Sequence, residues 1–230
     1  MPHMKYLLVD RPSPGVLRVR LDRPERRNAI DATVLDELEV TFADPDDPIL
    51  VLGSTDRRAF CAGAELTLGQ DELATLSDRL FAFYAHLISL PNVLIAAVDG
   101  AARGAGAQLL LCADLRIGGP DTSISWLGAR SGLALGTWRL PQLVGAGRAC
   151  DLSLTGREIR AEEARSIGLL DRLADEAVAE ATQIAAELGG APDGVPAQIK
   201  ELLREDTAAR LERERRANRA RRLDRTVIST

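Results

Sequence analysis

The feature that most constrains the fold is an apolar run, Val93–Val98, that leads through a glycine-rich turn into a second apolar segment. A run of this length with no polar interruption predicts a strand buried on both faces, as in parallel sheets that helices cover. The turn at residues 100–106 contains three glycines, and residues 107–113 then predict an apolar helix. A buried strand followed directly by a helix is typical of an α/β fold.

The rest of the chain extends this pattern. Alternating or apolar runs predict strands at 5–10, 16–21, 49–52, 115–117 and 123–126, and residues 59–66 predict a loop. Helical spacing predicts helices at 31–40, 71–90, 148–154, 161–167, 174–188 and 197–218. Because helices dominate the last part, we predict an α/β region over residues 1–172 and a helical C-terminal region over residues 173–230.

Charge and cysteine content exclude several classes of function. The chain has 29 basic and 34 acidic residues and a net charge of −5, which disfavours nucleic-acid binding through phosphate contacts. The three cysteines, Cys61, Cys112 and Cys150, are too scattered for a disulfide framework, and no metal site is expected. No apolar stretch reaches the roughly 18 residues of a membrane helix. We therefore expect a soluble cytoplasmic protein without membrane insertion.

Two glycine-bearing loops, at residues 60–66 and 100–106, are the best candidates for a ligand site. Small residues let a ligand approach the main chain, and the free N–H groups at the start of the following helix favour negative charge. A phosphate cradle is disfavoured because the third glycine of a dinucleotide motif and the Walker lysine are both missing. The alternative is an oxyanion hole, in which each loop supplies one N–H group.

Several segments, in this order and spacing, resemble the crotonase (enoyl-CoA hydratase/isomerase) superfamily. They are residues 21–30, 60–66, 95–100, 104–114, 154–156 and 161–169. The resemblance implies a crotonase-like β-β-α spiral core with a C-terminal helical trimerisation region. It also implies a homotrimer or dimer of trimers that binds an acyl-CoA thioester. Coenzyme A is then part of the substrate, and no separate cofactor is expected.

The resemblance also assigns site residues. The backbone N–H groups of Ala64 and Ala105 become the two oxyanion donors. The residues expected to line the path of the acyl-CoA are Arg27, Asn28, Ala29, Ile30, Ala62, Glu65, Leu66, Gly106 and Trp126. Trp126 and Trp138 lie in the segment that should wall the acyl group, and each is either a core residue or a surface on which that group stacks.

The chain departs from the family at the two side chains that move protons. Hydratases of the family have glutamates at the positions that Gln108 and Gly128 occupy here. A glutamine cannot shuttle a proton near neutral pH, and glycine has no side chain. We therefore predict weak or undetectable hydration of an enoyl thioester, and we expect Gln108→Glu together with Gly128→Glu to restore part of it.

Other side chains could move the proton in place of these carboxylates. Glu65 and His86 are minor candidates, whereas Asp71, Asp114 and Asp121 have the pattern of structural or capping residues. Cys61 has no neighbouring cation or base, so we interpret it as an inert core residue.

Two further departures concern the edges of the site. Residues 132–145 are a few residues shorter than the corresponding family segment, which predicts a remodelled pocket wall. The chain also ends without the customary final helix, so we expect either that the sequence is trimmed there or that the adenine end is more open.

Three functions remain open from the sequence. The first is an enzyme of enoyl-CoA hydratase/isomerase type with non-standard acid–base chemistry. The second is a non-catalytic acyl-CoA carrier or regulator in lipid metabolism. The third is an interaction module that uses the arginine-rich helix near the C-terminus.

Overall fold

The computed structural model describes residues 4–65, 67, 69–129, 132–192, 194–204 and 206–228. Within these residues, the larger sheet has six strands in the order β1-β2-β3-β5-β7-β10. The strands are β1 (Leu7–Ser13), β2 (Val16–Leu21), β3 (Ile49–Ser54), β5 (Val93–Val98), β7 (Leu115–Gly118) and β10 (Arg172–Leu173). Only β1 runs antiparallel to its neighbour, and the other strands of this sheet pair in parallel.

A smaller sheet has the order β4-β6-β8-β9, with strands β4 (Ala59–Cys61), β6 (Ala101–Arg103), β8 (Ser123–Ser125) and β9 (Ile159–Arg160). Consecutive strands alternate between the two sheets: β3 is followed by β4, β5 by β6 and β7 by β8. Helices α2 (Gln70–Ser89) and α3 (Ala105–Cys112) follow the first two of these pairs. This succession is the β-β-α spiral that the sequence predicts, and the fold class is confirmed.

The prediction of a loop over residues 59–66 is wrong for its first part. Residues 59–61 form β4, which pairs in parallel with β6, and all three residues are buried. An isolated three-residue run carries too little periodicity to indicate a strand, so the pairing with β6 decides the conformation.

Local signals explain the helices before the site. Helix α1 (Ala32–Thr41) begins after Asp31, whose side chain accepts a hydrogen bond from the N–H of Val34 at 2.9 Å. Helix α2 buries an apolar stripe at helical spacing that includes Leu76, Leu80 and Leu87.

The core lies on both faces of the larger sheet. Alternate residues of β3 point to opposite sides, so that Leu50 and Leu52 join one apolar cluster while Ile49 and Val51 join the other. Helix α7 (Ala177–Gly189) covers the second side with a stripe of small and branched residues, Ala177, Ala181, Ile184 and Ala185. Although α7 follows residue 172, it therefore packs on the sheet of the preceding region.

The C-terminal region contains two helices where the sequence predicts one over residues 197–218. Helix α8 (Val195–Leu203) ends before Asp206, whose φ of 64° breaks the helical path, and α9 (Thr207–Ile228) begins at the next residue. The remaining helices are α4 (Leu140–Val144), α5 (Ala146–Thr155) and α6 (Ala161–Ser166). Helix α9 packs against α2, and in the described chain no helix has the length and apolar character to span a membrane.

Candidate functional site

The two glycine-bearing loops lie side by side at the ends of neighbouring strands. Because β4 and β6 pair in parallel, the loop after β4 and the turn before α3 meet at the same edge of the smaller sheet. A Cβ atom on Gly63 would lie 3.1 Å from the carbonyl oxygen of Arg103 and 3.8 Å from the nitrogen of Ala105. A Cβ atom on Gly106 would lie 2.4 Å from the carbonyl oxygen of Cys61, so this close approach requires glycine.

Both loops carry backbone N–H groups without an acceptor in the described part of the chain, among them those of Ala64 and Ala105. Ala105 is the first residue of α3, where an N–H group has no intrahelical partner. The neighbours of Ala64 are bound to Ile30, whose N–H donates to Gly63 and whose carbonyl accepts from Glu65, but the N–H of Ala64 itself has no acceptor there. The arrangement is suited to binding an oxygen that carries partial negative charge.

The structure brings the predicted residues 27–30 against the first of these loops. Arg27 and Asn28 have positive φ angles of 50° and 55°, and the carbonyl of Arg27 accepts a hydrogen bond from Ala62 at 2.9 Å. The buried Asn28 side chain donates to the carbonyl of Ala59 at 2.8 Å and accepts from the N–H of Arg23. Ala29 and Ile30 are buried behind the loop. Leu66, a further predicted site residue, lies outside the described residues.

Gln108 lies one turn after Ala105 on α3, and both its amide nitrogen and its amide oxygen are hydrogen-bonded. Its Nε2 donates to a carboxylate oxygen of Glu214 at 2.6 Å, and its Oε1 accepts from the N–H of Gly136 at 3.0 Å. Both side chains are buried. Glu214 belongs to α9, whose mixture of arginine and glutamate is typical of an exposed helical face, so the predicted site residues do not include it.

Glu214 is held by four donors. Its second carboxylate oxygen accepts from the N–H and the hydroxyl of Thr137, each at 2.6 Å, and from the N–H of Trp138 at 3.1 Å. Burial raises the pKa of this carboxyl above its usual value, although the hydrogen bonds from Thr137 and Gln108 act in the opposite direction. One signal could have identified it: Leu211, Glu214 and Asn218 follow helical spacing and form one buried stripe of α9.

Gly128 offers no place for a carboxylate. A Cβ atom there would lie 2.6 Å from the carbonyl oxygen of Leu133 and 2.8 Å from Cγ of Leu135. Because real Cβ atoms do not approach a backbone oxygen this closely, Gly128→Glu would displace the segment after it. The expectation that this substitution restores a proton-moving group has to be corrected.

The two tryptophans lie behind the wall of the site. Trp126 and Trp138 have at most 1% of their surface exposed, and the indole of Trp126 packs against Gly136. Neither indole nitrogen has a hydrogen-bond partner among the residues that the structure describes.

The other candidates for chemistry have structural partners. Glu65 accepts a hydrogen bond from the hydroxyl of Thr67 at 3.1 Å and lies 3.9 Å from the guanidinium of Arg23. His86 contacts the carbonyl of Phe42 at 2.6 Å, and Asp114 pairs with Lys200 and Arg204.

Burial raises the pKa of the Cys61 thiol to about 12, which keeps it protonated. Asp71 and Asp121 are exposed. The described residues contain no group of three potential metal ligands.

Comparison with known proteins adds independent information. Residues 11–227 match the model of a family described as enoyl-CoA hydratase/isomerase. A probable enoyl-CoA hydratase, echA6 of Mycobacterium leprae, is 35% identical over 201 residues, which cover 84% of this chain and 80% of that protein. A putative enoyl-CoA hydratase/isomerase of Bacillus subtilis, YngF, is 36% identical over 169 residues, covering 67% and 64% of the two chains.

Solved structures agree with the sequence relatives. The crystal structure of a putative enoyl-CoA hydratase/isomerase from Acinetobacter baumannii superposes with a TM-score of 0.83 at 26% identity, covering 94% of this chain and 95% of that one. A putative enoyl-CoA hydratase from Streptomyces coelicolor gives a TM-score of 0.81 at 31% identity, with 96% and 87% covered.

Proposed function

This chain belongs to the enoyl-CoA hydratase/isomerase family, and from that premise we propose that it binds an acyl-CoA thioester between the two glycine-bearing loops. The thioester oxygen accepts hydrogen bonds from the N–H groups of Ala64 and Ala105. The observation that carries the proposal is that these two donors belong to loops in close contact, a Cβ atom on Gly63 lying 3.8 Å from the nitrogen of Ala105, and have no acceptor in the described chain. Preorganised donors of this kind stabilise the enolate form of a thioester more than its neutral form.

Residues around the loops provide the rest of the binding path. Arg27 is exposed, and its carbonyl accepts a hydrogen bond from Ala62. The coenzyme A portion passes over these two residues, so that the acyl group lies near α3. Coenzyme A enters and leaves as part of the substrate. The reducing cytoplasm is the compartment we propose, since three scattered cysteines are typical of an intracellular chain.

The proposed chemistry is that of a hydratase/isomerase-type enzyme with non-standard acid–base groups. Hydration needs an acid and a base. A positioned group that transfers a proton typically raises the rate about 10²–10⁴-fold. Gln108 cannot fill either role, and the packing around Gly128 excludes a side chain. We therefore expect turnover of crotonyl-CoA to fall well below the roughly 10 s⁻¹ of a median enzyme.

One observation favours a second candidate function, a non-catalytic acyl-CoA carrier or regulator. Glu214, a buried carboxylate near the site, already accepts four hydrogen bonds, and the Gln108 amide is bound at both its nitrogen and its oxygen. Side chains whose hydrogen-bonding atoms already have partners in the protein stabilise the fold rather than transfer protons. Measurable turnover of crotonyl-CoA separates the enzyme from the carrier.

The family also supports an assembly of three copies, or of two such trimers. Helix α8 exposes an apolar stripe of Val195, Ile199, Leu202 and Leu203, with Leu203 80% exposed. Burying such a stripe against a second copy is favourable by roughly 25 cal/mol for each Å² removed from water.

The binding test uses the donor on α3. Proline is well tolerated at the first position of a helix, so Ala105→Pro removes one N–H group with little cost to α3. We expect crotonyl-CoA to raise the melting temperature of the wild type more than coenzyme A does, and this difference to disappear in Ala105→Pro.

Two control variants make this test specific. Ala105→Gly keeps the N–H group and should keep the difference between the two ligands. Ala146→Pro introduces proline at the first position of α5, also after a glycine of positive φ, and should behave like the wild type. Equal protection of the wild type by crotonyl-CoA, coenzyme A and ATP would refute the proposed function.

A further inference from the structure

The buried pair of Gln108 and Glu214 joins two helices that are far apart in the sequence. The amide nitrogen on α3 and the carboxylate oxygen on α9 are 2.6 Å apart, and the two residues are separated by 106 positions. Each side chain is at least 97% buried. A buried carboxylate is costly unless its oxygens are hydrogen-bonded, so this pair is a built feature of the fold.

The pair also holds the segment that lies over α3. Gly136 donates its N–H to Gln108, while Thr137 and Trp138 donate theirs to Glu214. One turn further along α9, Asn218 accepts from the N–H of Ala134 at 2.6 Å and donates to its carbonyl at 2.7 Å. Helix α9 therefore fixes residues 134–138 at both ends.

This clamped segment is bound through Gln108 to α3, the helix that begins at Ala105. Gln108 is three residues after Ala105, and residues three apart in a helix share one face. An acyl group whose thioester oxygen is bound by the N–H of Ala105 therefore extends past Gln108 and residues 134–138. This step rests on the proposed function.

We infer that Glu214 is a positioning residue of this site: it orients the Gln108 amide and residues 134–138, and so sets the wall that the acyl group meets. Gln108 is then the neutral hydrogen-bond donor that the carboxylate of Glu214 requires, and not only a position from which a glutamate is missing.

The donors and acceptors of the pair predict how substitutions behave. In Gln108→Glu, two carboxylates would face each other at a hydrogen-bond distance, and one would have to retain a proton. In Glu214→Gln, the amide cannot accept from both Gln108 and Thr137, and one buried donor loses its acceptor. In the double variant Gln108→Glu with Glu214→Gln, every hydrogen bond can form again, with the carboxylate now on α3.

The experiment compares the wild type, the two single variants and the double variant. The readout is acyl preference, defined as the ratio of the dissociation constants for coenzyme A and crotonyl-CoA in isothermal titration calorimetry. Because a buried donor without an acceptor is destabilising, we expect each single variant to reduce acyl preference by about tenfold. The double variant should recover it to within about threefold of the wild type.

A matched control lies on the same helix. Glu212 is partly exposed and pairs with Arg215 and Arg216, so Glu212→Gln removes the same charge without touching the wall. It should leave acyl preference unchanged. Tryptophan fluorescence gives a second readout, because Trp126 and Trp138 adjoin Gly136 and Glu214, and it should shift in the single variants and return in the double variant.

The outcomes separate this inference from the proposed function. If the wild type shows no acyl preference, the proposed function is wrong. If the wild type shows it but the single variants keep it, and lose only thermal stability, Glu214 is merely a packing residue and the inference is overturned. The same holds if the double variant is no better than either single variant.

Discussion

Lys200 is one of only two lysines in the chain, and it is buried beside Asp114, Arg204 and Arg139. Its Nζ donates to the carbonyl of Asn92 at 2.6 Å and lies 3.2 Å from Asp114. Burial lowers its pKa from 10.5 to about 8, against the raising effect of Asp114, and Arg204 lowers it further. Compared with the unfolded chain, the folded protein therefore releases the Lys200 proton at a lower pH.

This pKa predicts a pH dependence of stability. Between pH 8 and pH 10.5 the folded protein has released the Lys200 proton while the unfolded chain still holds it. Unfolding then takes up a proton and becomes less favourable as the pH rises. Relative to Lys200→Met, the wild type should gain up to about 3 kcal/mol in free energy of unfolding over this range, measured by urea denaturation.

The other lysine is the control for this prediction. Lys5 is exposed, and its contact with Tyr6 raises its pKa, so Lys5→Met should produce no such gain between pH 8 and pH 10.5. A difference between wild type and Lys200→Met that does not change with pH would contradict the prediction.

At the scale of elements, the turn after β8 is tightly packed around Gly128. Leu133 donates its N–H to the carbonyl of Gly128 at 2.7 Å, and the next residue, Ala134, is bound to α9 by Asn218. The segment that a side chain at position 128 would displace is therefore fixed from two directions.

A single methyl group tests this packing. Gly128→Ala places a Cβ atom against the backbone of Leu133, and we expect a loss of about 1–3 kcal/mol in the free energy of unfolding. Gly147→Ala is the matched control, since its Cβ atom would meet nothing within 4 Å and it lies inside α5. This control should stabilise the protein by about 0.5–1 kcal/mol. Equal effects of the two substitutions would disprove the steric argument.

At the scale of the whole molecule, the apolar residues of the C-terminal region are covered unequally. Ile184 of α7 is buried against the larger sheet of its own chain. In contrast, Leu202 and Leu203 of α8 are 70% and 80% exposed. The exposed apolar surface of this region is therefore concentrated on α8, and α8 is the helix to test for a role in assembly.

We expect the protein to sediment as a trimer or a dimer of trimers in analytical ultracentrifugation. Replacing Leu202 and Leu203 together by glutamate should shift the distribution towards monomer, because charge at a contact opposes burial. Val40→Glu, at an exposed apolar position of α1, is the control and should leave the assembly intact. A wild type that stays monomeric at all concentrations would contradict the proposed assembly.

Local signals in the sequence predict the strands and helices of the core and the two glycine-bearing loops. A buried strand such as Val93–Val98, the glycines at the turns and the spacing of α2 are such signals, because side-chain periodicity and backbone freedom depend on nearby residues. The spiral order and the proposed oxyanion donors, the N–H groups of Ala64 and Ala105, come from the family resemblance; since these donors are main-chain groups, a side-chain change that keeps the turn keeps the N–H group.

The contacts around the proposed wall of the site depend on the tertiary structure. Glu214 lies 106 positions from Gln108, in a helix whose mixture of arginine and glutamate indicates an exposed face. Glu214 is buried because α9 packs against α2, and this packing depends on how the preceding elements fold. The environment of Gly128 was hidden in the same way, because the segment that blocks it is held in place by Asn218 of α9.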